Sequence, residues 1–151
     1  MAQILFSQVT EDWISPEVSY AKTGTMVAVD ETNNAFTLSD IFLGDIYLSK
    51  RDIEGNILWT VGYDNTSPSQ WEVASDLVID INGDAIVTGY TNTGFGSEWY
   101  PLQVVTMKFN GEDGALLWRE TFYSGSYYRG RKLLTDVDGN IYVGEIGRAH
   151  V

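Results

Sequence analysis

Residues 77–89 read LVIDINGDAIVTG, two apolar runs separated by Asp, Asn and Gly. This pattern is typical of a β-hairpin, because Asp, Asn and Gly tolerate positive φ and bond to their own backbone in a tight reversal. The pattern recurs in residues 27–37 and in residues 134–143, around Asp30 and Asp136. With Asp80, the aspartates lie at intervals of 50 and 56 residues. Intervals of this size predict a repeat architecture.

A second kind of hairpin alternates with the first, in residues 45–61 and 104–119. Each copy is predicted to contain a strand, a turn rich in glycine and a second strand, and the second copy has one more turn residue. A glycine precedes a tryptophan by four positions in both, at Gly55 and at Gly114. Apolar residues nowhere follow helical spacing for long, so the predicted fold class is all-β.

The order of these hairpins defines a repeating unit. If the aspartate hairpin contributes strands A and B and the Gly-Trp hairpin strands C and D, the chain contains D, then A to D twice, then A and B. Four antiparallel strands in about 50 residues predict the blade of a β-propeller. The predicted organisation is a lone strand D at 4–10, a blade at 25–61, a blade at 73–123 and a partial blade at 130–145.

This arrangement is an open arc of about two full blades plus partial blades, whereas closed propellers have about four to eight. An open arc exposes apolar blade faces and strand edges. The predicted partners are therefore missing blades of the same chain, or further copies through self-association. The closing residues, EIGRAHV, break the repeat and correspond to codons of a common sequencing adapter. Residues 146–151 are predicted to be a non-native read-through tail that makes few contacts and continues no strand ladder.

The stretches DIYLSKRDIEGNILWT (45–60) and ASDLVIDINGDAIVTGYTN (74–92) resemble the bacterial β-propeller repeat family (SBBP-like repeats), and the resemblance covers residues 27–144. The Gly-x-x-x-Trp spacing is also similar to pyrroloquinoline-quinone-type propeller repeats. The Ala and Asp of that motif are replaced here by Ser49 and Arg51, or by Lys108 and Asn110. The family resemblance implies a bacterial or environmental protein, extracellular or in the cell envelope, although MAQILFSQVTEDW is not a signal peptide.

Composition argues against several functions. The chain has 21 acidic and 9 basic residues, a net charge of −12, so it repels polyanions and nucleic-acid binding is not predicted. No run approaches the ~20 apolar residues of a membrane span, so no membrane insertion is predicted. Cysteine is absent and the single histidine, His150, lies in the suspected tail. The sequence of residues 136–140 favours a hairpin turn over a calcium loop. A calcium loop has oxygen ligands at alternate positions over about twelve residues, whereas the apolar residue Ile141 follows residue 140 directly. No catalytic residue, metal or cofactor is predicted.

The two ends of the predicted blades differ in their connections. The A–B and C–D turns are tight, whereas the B–C and D–A connections are long and aromatic. Trp and Tyr beside hydroxyls and amides suit stacking on a sugar or docking a protein, although the same residues in a structural role would pack between blades. The best single candidate is Trp99, which Pro101 would stiffen. The candidate ligand-binding residues are Tyr63, Trp71, Phe95, Glu98, Trp99, Tyr100, Tyr127, Tyr128 and Arg129.

Together these patterns predict a non-catalytic binding or interaction scaffold whose ligand is a glycan or a protein. Two alternatives remain open. In the first, the chain is a fragment of a propeller enzyme, such as a quinoprotein or a carboxylate-based hydrolase or lyase, whose site lies in other blades. In the second, it is a spacer repeat of a surface or virion protein. Fold alone does not choose among them.

Overall fold

The computed structural model of the chain describes residues 22–41, 46–63, 72–92, 102–123 and 128–147. These residues contain strands and turns and no helix, which confirms the all-β prediction. No helix that could cross a membrane occurs among them. The predicted strand at 4–10 lies outside the described residues. The strands are β1 Lys22–Val29, β2 Ala35–Ile41, β3 Ile46–Arg51, β4 Ile57–Tyr63, β5 Glu72–Ile79, β6 Ala85–Asn92, β7 Leu102–Phe109, β8 Leu116–Phe122, β9 Tyr128–Thr135 and β10 Ile141–Gly147.

The strands form three sheets that follow the sequence repeat. The first sheet has the order β1-β2-β3-β4 and the second the order β5-β6-β7-β8, while β9 and β10 form the third. Every neighbouring pair is antiparallel. The prediction of four antiparallel strands per unit is therefore confirmed for two units, and the third sheet contains the first two strands of the same pattern.

The main core lies between the first and second sheets. Alternate residues of each strand point to one face, and these faces meet in a single apolar cluster. Burying a Val, Leu, Ile, Phe or Met side chain in this cluster contributes about 1.5–3 kcal/mol. The buried members are Phe36, Leu38, Ile46, Leu48, Ala74, Leu77, Ala85, Val87, Val105, Met107 and Phe109.

The second sheet is covered on both faces. Ala85 and Val87 of β6 belong to the core shared with the first sheet, whereas Thr88 lies against β9 of the third. As a result, all five residues from 85 to 89 are buried. Among the described residues, only one face of the first sheet is covered, and Val27 and Val29 on its other face are 62% and 58% exposed. The continuous apolar run in β6 thus reflects a strand enclosed between two neighbours.

The third sheet is attached to the second through β9, which contacts β5, β6 and β7. Leu133 is buried there, and its N–H donates a hydrogen bond of 2.8 Å to Asp76 Oδ2 in β5. Gly130 lies so close to the second sheet that a Cβ on it would come within 2.5 Å of Thr88 Oγ1. Because of this close approach, β9 covers the second face of β6.

The strand pairing of β10 corrects the prediction for the end of the chain. Ile146 pairs with Arg129 and Gly147 with Tyr128, so the antiparallel ladder continues two residues beyond the predicted boundary. The expectation that no ladder passes Glu145 is wrong, because the backbone of β9 offers partners irrespective of the repeat pattern. Residues 148–151, including His150, lie outside the described residues.

Candidate binding surfaces

The aspartate turns share one hydrogen-bonding scheme. At Asp80 the backbone N–H donates to Asp84 O (3.0 Å), and the Gly83 N–H donates to Asp80 O (2.9 Å). The Asp80 carboxylate accepts from the Asn82 and Asp84 N–H groups, and Gly83 has φ +80°. The same bonds occur at Asp30 and Asp136. The prediction that these three turns are equivalent is confirmed.

Asp52 forms a fourth turn of this type. Its N–H donates to Asn56 O, the Gly55 N–H donates to Asp52 O, and its carboxylate accepts from the Asn56 N–H at 2.8 Å. The prediction that this hairpin is of a second kind is wrong for its turn. The sequence indicates that the turns at Asp52 and Asp136 are equivalent, since DIEGN at 52–56 matches DVDGN at 136–140. The hairpin at Asn110 does differ, because the Asn110 N–H donates one residue further on, to Ala115 O.

Two of the turn aspartates bind a lysine of the third strand in their sheet. Lys50 Nζ lies 3.1 Å from Asp30 Oδ2, and Lys108 Nζ lies 2.8 Å from Asp80 Oδ2 and 3.0 Å from Asp84 Oδ2. The sequence analysis missed these aspartate–lysine pairs. The sequence feature that indicates these pairs is a lysine at the equivalent position of β3 and β7, the third strands of the first and second sheets.

These pairs shift the pKa of one aspartate and one lysine, Asp30 and Lys108. Burial acts to raise the pKa of Asp30, but hydrogen bonds from Asn34, Thr32 and Lys50 outweigh it and hold this pKa well below its ordinary value. The pKa of Lys108 is raised, chiefly by its hydrogen bond to Asp80 and against the effect of burial. An aspartate held ionised in this way stabilises a turn and is poorly suited to donate a proton at neutral pH.

Asp136 is bonded differently. Its Oδ2 accepts from Asn140 Nδ2 at 2.8 Å and from the Tyr142 hydroxyl at 2.9 Å, and no lysine or arginine of the described residues pairs with it. The hydrogen bond from Asn140 is the main cause that lowers its pKa. The third aspartate turn is therefore an ionised acceptor without the cation that its two equivalents hold.

The three aspartate turns line one recess of about 430 Å³. Asp30, Asp80 and Asp136 contribute carboxylates to it, and Val29 and Ile79 contribute apolar wall. The sequence predicts only tight turns at this end and no concave surface, because the convergence of the first strands of the three sheets depends on how the sheets stack. The aspartate carboxylates of the recess already accept hydrogen bonds within their turns, and those of Asp30 and Asp80 also pair with a lysine.

The opposite end of the sheets carries the two longest connections, 64–71 and 93–101, together with two short ones. Ile46 pairs with Tyr63 in the first sheet, and Glu72 with Thr91 in the second, at the end away from the aspartate turns. Segments 42–45, 64–71, 93–101 and 124–127, which lie outside the described residues, all join strands at this end. We call it the loop end.

Two of the predicted ligand residues have described side chains. Tyr63 is half-buried at the edge of the core, with the Arg119 guanidinium carbon 6.0 Å from its ring centre. Arg129 lies over the Tyr90 ring at 4.8 Å. Both therefore pack a strand against the neighbouring sheet, and a ligand contact by either stays a prediction. Tyr128 begins β9, and its side chain lies outside the described part. Six further predicted residues lie wholly outside the described part of the chain: Trp71, Phe95, Glu98, Trp99, Tyr100 and Tyr127.

A cleft of about 460 Å³ lies between the second sheet and β10. Phe122, which is 53% exposed, and Val143 give it apolar surface, and Glu120 and Glu145 give it negative charge. We call it the outer cleft. It was not predicted, because it exists only where β10 stands beside β7 and β8.

No protein-family model and no curated protein matches the chain. Among the residues that the structure describes, no group of three or more His, Cys, Asp and Glu is placed to hold a metal ion. The candidate binding surfaces of the described residues are therefore the loop end, the recess and the outer cleft.

Proposed function

We propose that the chain is a non-catalytic binding scaffold whose sheets are blades of a β-propeller and whose ligand binds at the loop end. The observation that carries the proposal is the placement of the two longest connections, 64–71 and 93–101, at the same end of the sheets. Functional residues concentrate on loops held by a rigid framework. The stack of two four-stranded antiparallel sheets and a third pair of strands, with first strands converging on one recess, supports the blade arrangement.

The residues of these connections set the chemistry of the ligand. The segment 93–101 contains Phe95, Glu98, Trp99 and Tyr100. Aromatic rings next to a carboxylate and hydroxyls suit the apolar face and hydroxyls of a sugar, and also suit a protein surface. A ligand of either kind would be bound without a bond being made or broken.

A glycan array and a pull-down with the chain test this proposal. Replacing Trp99 with Ala should weaken binding of the captured ligand by about 2 kcal/mol, the cost typical of a stacked anchor. The matched control is Ile53→Ala, since Ile53 is 64% exposed in a turn at the opposite end. This control should bind as the parent does.

Thermal unfolding separates binding from folding in the same variants. If Trp99→Ala lowers the melting temperature and binding falls only with the folded fraction, the tryptophan is a core residue and the proposal fails. Equal losses of binding in Trp99→Ala and Ile53→Ala would also contradict a ligand at the loop end.

A further inference from the structure

The chain contains two Asn-Gly pairs, Asn82-Gly83 and Asn110-Gly111, and each lies in a hairpin turn of the second sheet. Asparagine is a chemically labile residue, and it is most labile before glycine, which has no side chain to keep its backbone nitrogen away from the asparagine side chain. An acidic residue follows each pair. Because the two pairs are so alike in sequence, the fold decides any large difference in their reactivity.

The reaction in question exchanges one carbon–nitrogen bond for another. The glycine backbone nitrogen attacks the side-chain carbonyl carbon of the asparagine and loses its proton to a base in solvent. The side-chain nitrogen leaves as ammonia after taking a proton from water. Water then opens the cyclic imide at either carbonyl, which yields aspartate or isoaspartate, and no oxidant or reductant takes part. The peptide between the two residues must rotate for the nitrogen to reach the side chain.

The pair Asn82-Gly83 is free to rotate in this way. Asn82 is exposed, and its side chain makes no hydrogen bond with the residues that the structure describes. The Gly83 N–H donates one hydrogen bond, of 2.9 Å, to Asp80 O. Nothing lies within 4 Å of the position that a Cβ on Gly83 would occupy. Rotation of this peptide therefore breaks one turn hydrogen bond and meets open space.

The pair Asn110-Gly111 is held on all sides. Gly111 is buried, and its N–H donates to Asp84 Oδ1 at 2.9 Å. The Asn110 backbone oxygen accepts from the Gly114 N–H at 2.9 Å, and its side-chain Oδ1 accepts from N–H groups of the same turn. Lys50 Nζ in the first sheet donates to Gly111 O at 2.9 Å. Rotation of this peptide would break bonds within the turn, to the neighbouring turn and between sheets.

The third sheet shows what aspartate does at the position of Asn82. Asp138 is the equivalent residue, and its N–H donates to Asp136 Oδ1 at 3.0 Å, as the Asn82 N–H does to Asp80 Oδ1 at 2.9 Å. Aspartate thus fits this turn, whereas isoaspartate adds a methylene to the main chain between the closing hydrogen bonds. Either product adds a negative charge next to the recess, which Asp80 and Ile81 line.

We propose that Asn82 is a site of spontaneous deamidation in the folded chain, and that the contacts of Gly111 protect Asn110 from the same reaction. The reactant is water, and the products are ammonia and an aspartyl or isoaspartyl residue at position 82. The modification changes the turn of the second unit and the charge beside the recess. This inference depends neither on a ligand at the loop end nor on any residue outside the described part of the chain.

Mass spectrometry of the digested chain after incubation in mildly alkaline buffer tests the proposal. We expect Asn82 to convert at least about tenfold faster than Asn110, because the second peptide has several more hydrogen bonds to break. The matched control is the same incubation in urea that unfolds the chain, where the two pairs should convert at similar rates. The acidic form that accumulates should include a species that elutes with Asn82→Asp on ion exchange.

Three results would overturn the proposal. Equal conversion of Asn82 and Asn110 under native conditions would show that both react only after the whole chain unfolds. Faster conversion of Asn110 would show that the contacts of Gly111 do not protect it. Conversion of neither residue in the time that the unfolded chain needs would show that the Asn82 turn does not open. The parent chain serves in every arm, so the outcome does not depend on whether a variant folds.

Discussion

Lys108 shows how a single residue joins a turn to a strand. Its Nζ lies 2.8 Å from Asp80 and 3.0 Å from Asp84, and its side chain is 16% exposed. The Asp84 carboxylate also accepts a hydrogen bond of 2.9 Å from the Gly111 N–H, so the pair connects both turns of the second sheet. Hydrogen bonds between charged groups at such depth stabilise more than neutral ones do.

Replacing Lys108 with Met should therefore lower the free energy of unfolding by about 2 kcal/mol, since it leaves two carboxylates without their cation. Urea unfolding at neutral pH measures the change. Lys132→Met is the control, because Lys132 is 78% exposed and 3.5 Å from Asp76, and such a pair contributes about 0.5 kcal/mol.

The same variant has a signature at high pH. The pKa of Lys108 is raised from 10.5, so its contribution is complete below that value and is lost as the pH rises through the higher folded-state pKa. Lys108→Met should accordingly flatten the loss of stability above pH 10.5. If Lys108→Met and Lys132→Met behave alike, the aspartate–lysine pair is not a stabilising contact.

At the scale of the hairpin, the Gly-x-x-x-Trp spacing has a geometric cause. Gly114 has φ +75° and closes the turn. Lys108 then pairs with Trp118 while Phe109 pairs with Leu116, so Leu117 is an extra residue in a bulge. The first sheet repeats this, with Gly55 at φ +86° and Leu58 as the extra residue. The bulge brings each tryptophan opposite the lysine of its sheet.

Trp59 then forms part of the contact between sheets. Its ring meets Phe36 edge to face at 5.7 Å, and its Nε1 donates to Gly111 O at 3.3 Å in the second sheet. Lys50 Nζ donates to the same carbonyl at 2.9 Å. A hairpin motif that is local in sequence therefore sets the spacing between neighbouring sheets.

Gly114→Ala tests this contact. A Cβ at Gly114 would lie 2.8 Å from both Trp59 Cε3 and Val61 Cγ1, in addition to the strain of a positive φ. Gly139→Ala is the control, since Gly139 has φ +81° and nothing within 4 Å. We expect a cost of about 1–2 kcal/mol for the control from backbone strain alone and about 2 kcal/mol more for Gly114→Ala from overpacking. Urea unfolding curves give both values, and equal costs would show that Trp59 does not restrict this turn.

At the scale of the whole molecule, the part of the sheet stack that the structure describes has two uncovered faces. Val27 and Val29 lie on the outer face of the first sheet, and Leu134 and Tyr142, 69% and 55% exposed, lie on that of the third. The two surfaces belong to opposite sides of the stack, so contact between them in different copies is head to tail.

The chain should consequently self-associate as its concentration rises, because large exposed apolar surfaces favour association. Sedimentation velocity over a concentration series measures this. Val27→Lys combined with Leu134→Lys should shift the distribution toward monomer, whereas Ile53→Lys, a matched change at an exposed turn residue, should not. A monomer at all concentrations, with one cooperative melting transition, would contradict the prediction.

The strands and turns of this protein were determined by the sequence itself. Alternation of apolar residues and the Asp-x-x-Gly pattern act over fewer than ten residues, and the turns at Asp30, Asp80 and Asp136 formed as predicted. The equivalent turn at Asp52 was equally readable from its residues.

Only the tertiary structure decided how the strands use these residues. The hydrogen bond from Lys50 to Gly111 and the packing of Arg129 on Tyr90 each depend on residues that another sheet brings into reach. Local pattern carries no information about which residues of different sheets come into contact. The recess and the outer cleft arise in the same way, because they lie between sheets and are properties of the stack.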